Sequence, residues 1–323
     1  MNLAIVVINY RTPDYTVDCL KSLEPEVAAW PSARVLLIDN ASGDDSLPRI
    51  RAAIESQGWG GWVEVVASDR NLGFAGGNNA CIRRAWADAS PPEWVLLLNS
   101  DTLVHPGCLA ACRTFMEAHP QVGLLSCMLR NRDGSVQNVC RKFPSPHRET
   151  VRALGLPYVL PRAFGWAELE DLGWNREKQS RAVEWVGGAF MFLRGEALRA
   201  VGLMDESFFF YGEDIEFCHR FWNRGWQVWF DPAGSITHFG GGSSDPTRLL
   251  DRRKDVLIWY ARFHVQRQCY GRLAAMWLRF IYTAAFAARV GWLALCGKRG
   301  TPIDRSIRSG LRTLTGPLDP RTT

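Results

Sequence analysis

The chain is 323 residues long, 47% hydrophobic and 22% charged, with 38 Lys and Arg against 33 Asp and Glu. This is the composition of an ordinary globular protein of one large or two modest domains; it excludes a disordered chain, a collagen-like repeat and a disulfide-stapled miniprotein. The excess of five charges hides an asymmetry. Residues 1–250 hold 24 basic against 29 acidic side chains, and residues 251–323 hold 14 against 4. A basic tail on a mildly acidic body suits an anionic membrane surface. Its Arg residues are mixed with Trp, Phe, Leu and Ala and show no nucleic-acid recognition motif, so no nucleic-acid partner is expected.

The N-terminus has only six apolar residues, 3–8, before Asn9, and lacks the basic start and cleavage site of a secretory leader. Nine cysteines without a Cys-x-x-Cys pair read as reduced thiols of a cytosolic protein. Apolar, β-branched runs at 3–8, 35–38, 63–66 and 94–98 each lead into a polar cluster, at 9–14, 39–44, 68–71 and 99–101. Helical spacing fills the intervals at 15–23, 47–55 and 77–88. Short, continuously apolar strands alternating with helices predict an α/β fold with a mainly parallel sheet covered on both faces. Ligands of such sheets bind beyond the carboxyl ends of the strands, where the four polar clusters converge.

Residues 120–180, with prolines at 144, 146, 157 and 161, read as connecting loops with one or two short elements. A strand at 185–193, a helix at 195–201, a helix at about 213–223 after the aromatic patch 208–211, and a strand at 227–230 ending in Asp231-Pro232 follow. From Leu249 to about Cys296 the periodicity is helical. The stretch 276–296 is apolar enough to raise the question of a membrane span, but Arg279 and Arg289 are costly at a bilayer centre. A helix at the interface, or one packed on the body, is expected instead. The predicted domains are 1–248 and a basic, amphipathic helical segment at 249–323.

Asp101 ends the strand-like run through Asn99 and Ser100, where a carboxylate caps a turn or binds a ligand. His238 precedes a run of glycines that lets backbone approach a ligand closely. Together the two would give a divalent cation two protein ligands, leaving other positions for diphosphate oxygens and water. Glu213 and Asp214 open a helix, as acidic caps do; Asp214 would also serve as a general base, with the preceding aromatics excluding water and stacking on a sugar. The glycine-rich stretch Asn71-Leu72-Gly73-Phe74-Ala75-Gly76-Gly77-Asn78-Asn79 is neither G-x-G-x-x-G nor a Walker sequence, yet it suits a nucleotide-cradling turn. No Gly-x-Ser-x-Gly elbow occurs.

In order, VVINYRTPD at 6–14, LLIDNASGDDS at 36–46, NLGFAGGNN at 71–79, LLLNSDT at 96–102, EWVGGAFMFLR at 184–194, DESFFFYGEDIEFCHR at 205–220 and HFGGGSS at 238–244 make the chain resemble the family 2 glycosyltransferases of the GT-A fold, in their bacterial rhamnosyltransferase-like branch. The resemblance implies that Asp39 reads the pyrimidine of a nucleoside diphosphate sugar. Asn9, Arg11, Asn40, Asn71, Gly73, Gly76, Asn79, Asn99 and Ser100 would line the nucleotide. It further implies Asp101 and His238 as ligands of Mg²⁺ or Mn²⁺, Asp214 with Glu213 as the catalytic carboxylates, and Trp185, Gly187, Gly188 and Tyr211 as acceptor or sugar contacts. Asn99 stands where the family's D-x-D motif has its first carboxylate.

The implied reaction is an inverting transfer of a sugar, rhamnose above others, from dTDP-rhamnose or a UDP-sugar to a glycan or lipid-linked acceptor in cell-surface polysaccharide synthesis. Its expected place is the inner face of the cytoplasmic membrane. A non-catalytic nucleotide-sugar binder and a sugar-phosphate nucleotidyltransferase are the alternatives; the latter would carry a glycine-rich opening loop with Arg and Lys, where this chain has Asn9-Tyr10-Arg11.

Overall fold

The computed structural model describes residues 1–88, 90–208, 211–240 and 251–316, with side chains from residue 256 in the last stretch. Phe209, Phe210, Leu249 and positions 241–244 of the last motif lie outside the described residues. The chain forms two compact units, the first of Met1–Arg141, Leu172–Phe209 and Glu213–Asp245, the second of Lys142–Asp171, Phe210–Gly212 and Pro246–Thr323.

The first unit opens with β1 (Leu3–Asn9), α1 (Pro13–Ala29), β2 (Ala33–Asp39), α2 (Ser46–Gln57), β3 (Val63–Ala67), α3 (Gly73–Trp86) and β4 (Trp94–Asn99). These are the alternating elements expected from the apolar runs. β1 pairs in parallel with β2 and β4, and β2 with β3. Residues 3–7 of β1 are all fully buried, which is why that run is apolar without alternation. α3 packs on it so closely that a Cβ at Gly77 would stand 3.1 Å from Ile8 Cδ1.

Beyond β4 come β5 (Thr102–Val104), α4 (Cys108–Ala118), β6 (Val122–Arg130), β7 (Cys140–Arg141), β8 (Arg181–Ala182), β9 (Trp185–Val186) and β10 (Phe190–Arg194). Helices α5 (Pro146–Ala153), α6 (Leu156–Val159) and α7 (Pro161–Phe164) intervene and belong to the second unit. The first unit then closes with α8 (Gly195–Val201), α9 (Glu213–Asn223) and β11 (Gln227–His238). The main sheet runs β3-β2-β1-β4-β10-β6-β11-β5, with β8 added on β11. Its parallel part is the first half; β10 lies antiparallel to both β4 and β6, and β11 runs parallel to β6 but antiparallel to β5. β7 and β9 form a separate two-stranded sheet.

Two expectations are corrected here. The strand expected to end at Asp231-Pro232 runs on to His238, because its register against β6 shifts between Phe230 and Ser235 and a proline is tolerated in such an irregularity. The segment 120–180 is not mainly connection, since it holds the nine-residue strand β6 and the helix α5.

In the second unit, α5–α7 associate with α10 (Asp251–Tyr270), α11 (Arg272–Leu295) and α12 (Pro302–Thr315). The helical run from 249 is broken at Gly271, whose φ of +92° only glycine adopts freely. Ala153, Trp259, Leu278, Tyr282 and Leu314 form this unit's own core. The stretch 142–171, read from sequence as part of the first domain, thus joins the C-terminal helices because α5 covers their apolar faces. Of the nine cysteines, seven are buried.

Candidate active site

Asn9 and Asp39 end adjacent strands as register partners, and both are buried. Asn9 Nδ2 donates to Asp39 Oδ1 at 2.6 Å and to Ser42 Oγ at 3.1 Å, while its Oδ1 accepts from Thr16 Oγ1 at 2.8 Å. Ser42 donates its hydroxyl to the same Asp39 oxygen at 2.6 Å and its N–H to Oδ2 at 3.2 Å. Oδ1 therefore has both lone-pair directions engaged, whereas Oδ2 keeps one for a further donor. Arg11 closes the loop by giving its N–H to Ser42 Oγ at 2.9 Å and its Nε–H to the Ser42 carbonyl at 2.8 Å. Arg11 and Ala41 both sit at φ +58°, a left-handed conformation costing roughly 1–3 kcal/mol each that the surrounding bonds must hold.

Asn40 ties this corner to the glycine-rich turn. Its Nδ2 donates to Asn71 Oδ1 and to the Gly73 carbonyl, both at 3.1 Å, and its Oδ1 accepts from the Leu72 N–H at 2.9 Å. Gly73 has φ +70°, and a Cβ at Gly76 would press on Leu72 Cβ at 2.9 Å, so glycine is needed at both positions. Asn79 departs from the expectation of a nucleotide contact. Fully buried, it bonds the Met204 carbonyl at 2.8 Å, the Met204 N–H at 3.0 Å and Glu206 Oε1 at 2.9 Å. Its amide straps the segment that precedes α9.

Asp101 stands just before β5 and His238 ends β11, and the antiparallel ladder of those strands pairs Thr102 with His238. The Phe239 N–H donates to the Asp101 carbonyl at 3.0 Å. The ladder thereby brings His238 Nε2 to 3.4 Å from Asp101 Oδ1. On the other side of the ring, Nδ1 lies 2.7 Å from Gln137 Oε1, and Gln137 Nε2 donates to Asn131 Oδ1 at 3.0 Å, which fixes the amide's orientation. An amide oxygen only accepts, so Nδ1 carries a proton and Nε2 is the ring atom that faces the carboxylate. An imidazole nitrogen and a carboxylate oxygen facing one another suit a shared cation, with Gln137 as the support of the imidazole. Among the described residues no group of three or more His, Cys, Asp or Glu could hold a metal; a cation at this pair would need further ligands from substrate oxygens and water. Nearby, Ser100 Oγ lies 3.4 Å from Thr12 Oγ1, and the Asn99 N–H donates to the Ala189 carbonyl at 3.0 Å.

Asp214 and Glu213 open α9. Burial pushes the Asp214 carboxyl up to about 6, against the N–H groups of Ile215 and Gly188 and the charge of Arg141, which favour the ionised form. Burial, and then the charge of Asp214, push Glu213 up to about 8. Glu213 Oε2 is buried without a hydrogen-bond partner, the expected state of a carboxyl kept protonated, so Asp214 is the member of the pair that ionises first.

Arg141 lies over the Trp185 ring, 5.9 Å from its centroid, and the Gly187 N–H donates to the Val139 carbonyl at 3.2 Å. A Cβ at Gly188 would meet the Phe74 ring at 3.0 Å, so this glycine admits Phe74 and offers its N–H to Asp214. Tyr211, in the second unit, has φ +69° in the turn leading into α9. It joins Arg11 and Ala41 as the non-glycine residues with positive φ among those described, and all three lie within motifs singled out in the sequence. Sequence reasoning missed Ser42 and Gln137 as site residues. The three-residue spacing from Asp39 could have flagged Ser42; nothing local flags Gln137.

Residues 4–166 match the profile described as Glycosyl transferase family 2, and residues 167–297 that of Glycosyl transferase family group 2. The chain is 28% identical over 271 residues to the N-acetylglucosaminyl-diphospho-decaprenol L-rhamnosyltransferase of Mycobacterium tuberculosis, covering 81% of this chain and 85% of that protein. It is 24% identical over 245 residues to the rhamnosyltransferase WbbL of Escherichia coli K12, covering 73% and 82%. Among solved structures, the mannosyltransferase PcManGT of Pyrobaculum calidifontis, in complex with GDP-Man and Mn²⁺, superposes with a TM-score of 0.57 at 16% identity over 97% of this chain and 84% of that one. With a sheet of this order and strand-end loops of this chemistry, the chain belongs to glycosyl transferase family 2 and is a glycosyltransferase of the GT-A fold.

Proposed function

We propose that the protein transfers rhamnose, with inversion at the anomeric carbon, from dTDP-rhamnose or a related UDP-sugar to a hydroxyl of a lipid-linked or glycan acceptor in cell-surface polysaccharide synthesis at the cytoplasmic face of the membrane. The observation that carries this reading is Asp214, a carboxylate pushed up to about 6 with two backbone N–H groups fixing its direction. A base with that affinity takes up a hydroxyl proton near neutral pH and releases it again.

The free lone pair of Asp39 Oδ2 is the acceptor that the imide N–H of thymine or uracil requires, and Asn9 and Ser42 hold that carboxylate in place. Asp214 removes the acceptor's proton as its oxygen forms the bond to the anomeric carbon, and the bond to the nucleoside diphosphate breaks on the opposite face. The diphosphate leaves without protonation, so a single carboxylate base is enough. Asp101 and His238 would hold Mg²⁺ or Mn²⁺, which when bound supplies positive charge against the departing diphosphate. The printed name of the mycobacterial relative, with its diphospho-decaprenol acceptor, supports a lipid-linked acceptor here.

Asp214→Asn is expected to lower turnover by about 10²–10⁴-fold while the Kd for dTDP, measured calorimetrically with Mn²⁺, stays within twofold or so. Retained turnover with lost nucleotide affinity would remove Asp214 from the base role.

A further inference from the structure

Among the described residues, the large apolar side chains left exposed all lie in the second unit except Leu172. They concentrate on α11. Leu273 is 81% exposed, Met276 67%, Phe280 61%, Trp292 67% and Leu295 86%. The positions that continue the same stripe, 284, 287, 288 and 291, are exposed Ala and Gly. One side of a helix about 36 Å long therefore faces outward without a charge. A stripe of this length is too large for a soluble surface to leave uncovered.

We infer that the outer stripe of α11 is a membrane-docking face, on which the helix lies in the plane of an anionic bilayer with these side chains among the acyl chains. Three observations select lipid and this orientation. Exposed Arg272 stands at one end of the stripe and exposed Lys298 and Arg299 beyond the other, in a segment, 251–323, with 14 basic against 4 acidic residues. That charge attracts phosphate headgroups and repels a second copy of the same surface. Trp277 and Trp292 sit one turn inside each end, where amphipathic rings favour the headgroup boundary.

The inner side of α11 is committed to protein. Leu278 and Tyr282 are in the core, Arg289 donates to the carbonyl of Ala153 at 3.0 Å, and Arg279, though exposed, donates from beside the stripe to the carbonyls of Leu314 and Gly316, both at 2.9 Å. By length and composition the helix could cross a membrane, but crossing would strip those guanidinium bonds inside the hydrocarbon.

The inference does not depend on the catalytic assignment, and its test involves no sugar transfer. The full-length protein is floated with phosphatidylcholine vesicles, with and without phosphatidylglycerol, and compared with Leu273→Glu and Phe280→Glu, whose exposed positions leave the fold intact as checked by an unchanged melting curve. The wild type should float with the anionic vesicles, show a blue-shifted Trp emission there, and be released by alkaline carbonate. Each Glu variant should bind about tenfold more weakly with dTDP binding unchanged. Absence of flotation, equal binding to neutral vesicles, or resistance to carbonate would each overturn the proposal. So would a dimer of the wild type in sedimentation equilibrium that Phe280→Glu dissociates, which would give the stripe to a second copy.

Discussion

His238 can serve a cation through Nε2 only while its proton sits on Nδ1, and Gln137 selects that tautomer through a 2.7 Å bond. Gln137→Leu should therefore weaken Mn²⁺ binding roughly 10–100-fold, measured by titration of the protein with the metal, and leave metal-free nucleotide binding unchanged. Asp214 sets a second expectation. Its carboxyl is raised, so it keeps its proton up to about pH 6 and would serve as the proposed base only above that. kcat/KM should fall on the acid side with a midpoint near pH 6, and by about tenfold per unit further down, the limb of a single protonation. The places of Asp101 and His238 at strand ends and of Asp214 at a helix start were legible in the sequence from the apolar runs and acidic cap around them, and the family resemblance singled them out. Gln137 was not, since its contact with His238 joins residues 101 positions apart through an aperiodic stretch. Asn79 was misjudged for a related reason: a buried amide looks the same in sequence whether it meets a ligand or, as here, the backbone of Met204.

That strap holds Met204 and Glu206, on the approach to α9. Asn79→Ala would leave the Met204 N–H and carbonyl unpaired in a buried place, at a cost of about 1–3 kcal/mol, or a fall in melting temperature of about 2–4 °C per kcal/mol. Turnover should drop as well while the Kd for dTDP holds, because the Asp39 network is untouched; calorimetry and steady-state kinetics on the same preparation separate the two. The strands β1, β2 and β4 were readable because burial on both faces demands nearly unbroken apolar runs, whereas β3, at the sheet edge, is half exposed and interrupted by Glu64. β6 was harder, since its run is interrupted by Gly123 and Ser126. The structure explains both interruptions: a Cβ at Gly123 would strike the Phe221 ring at 2.8 Å, and Ser126 Oγ donates to the Phe190 carbonyl at 3.0 Å. Tertiary neighbours, invisible along the chain, chose those residues.

At the scale of the molecule, the charge division at residue 250 lies close to the unit boundary at Asp245–Pro246, but the second unit also takes in Lys142–Asp171 and Phe210–Gly212. The second unit closes on Glu149, only 1% exposed, which accepts from Arg262 at 2.5 Å and from the Tyr282 hydroxyl at 2.7 Å. Arg262→Met would strand that carboxylate, so a loss of about 3–5 kcal/mol is expected in differential scanning calorimetry, with partial recovery in Arg262→Lys. For the same reason a chain cut near residue 250 would not leave an intact body, because Glu149 and Ala153 would lose the helices that bury them. The sheet order has a further consequence during synthesis. β4, whose interior residues are fully buried when folded, takes as its outer neighbour β10, made about ninety residues later. At roughly 5–20 residues per second, that edge emerges from the ribosome and waits some seconds unpaired, an adhesive strip until β10 follows.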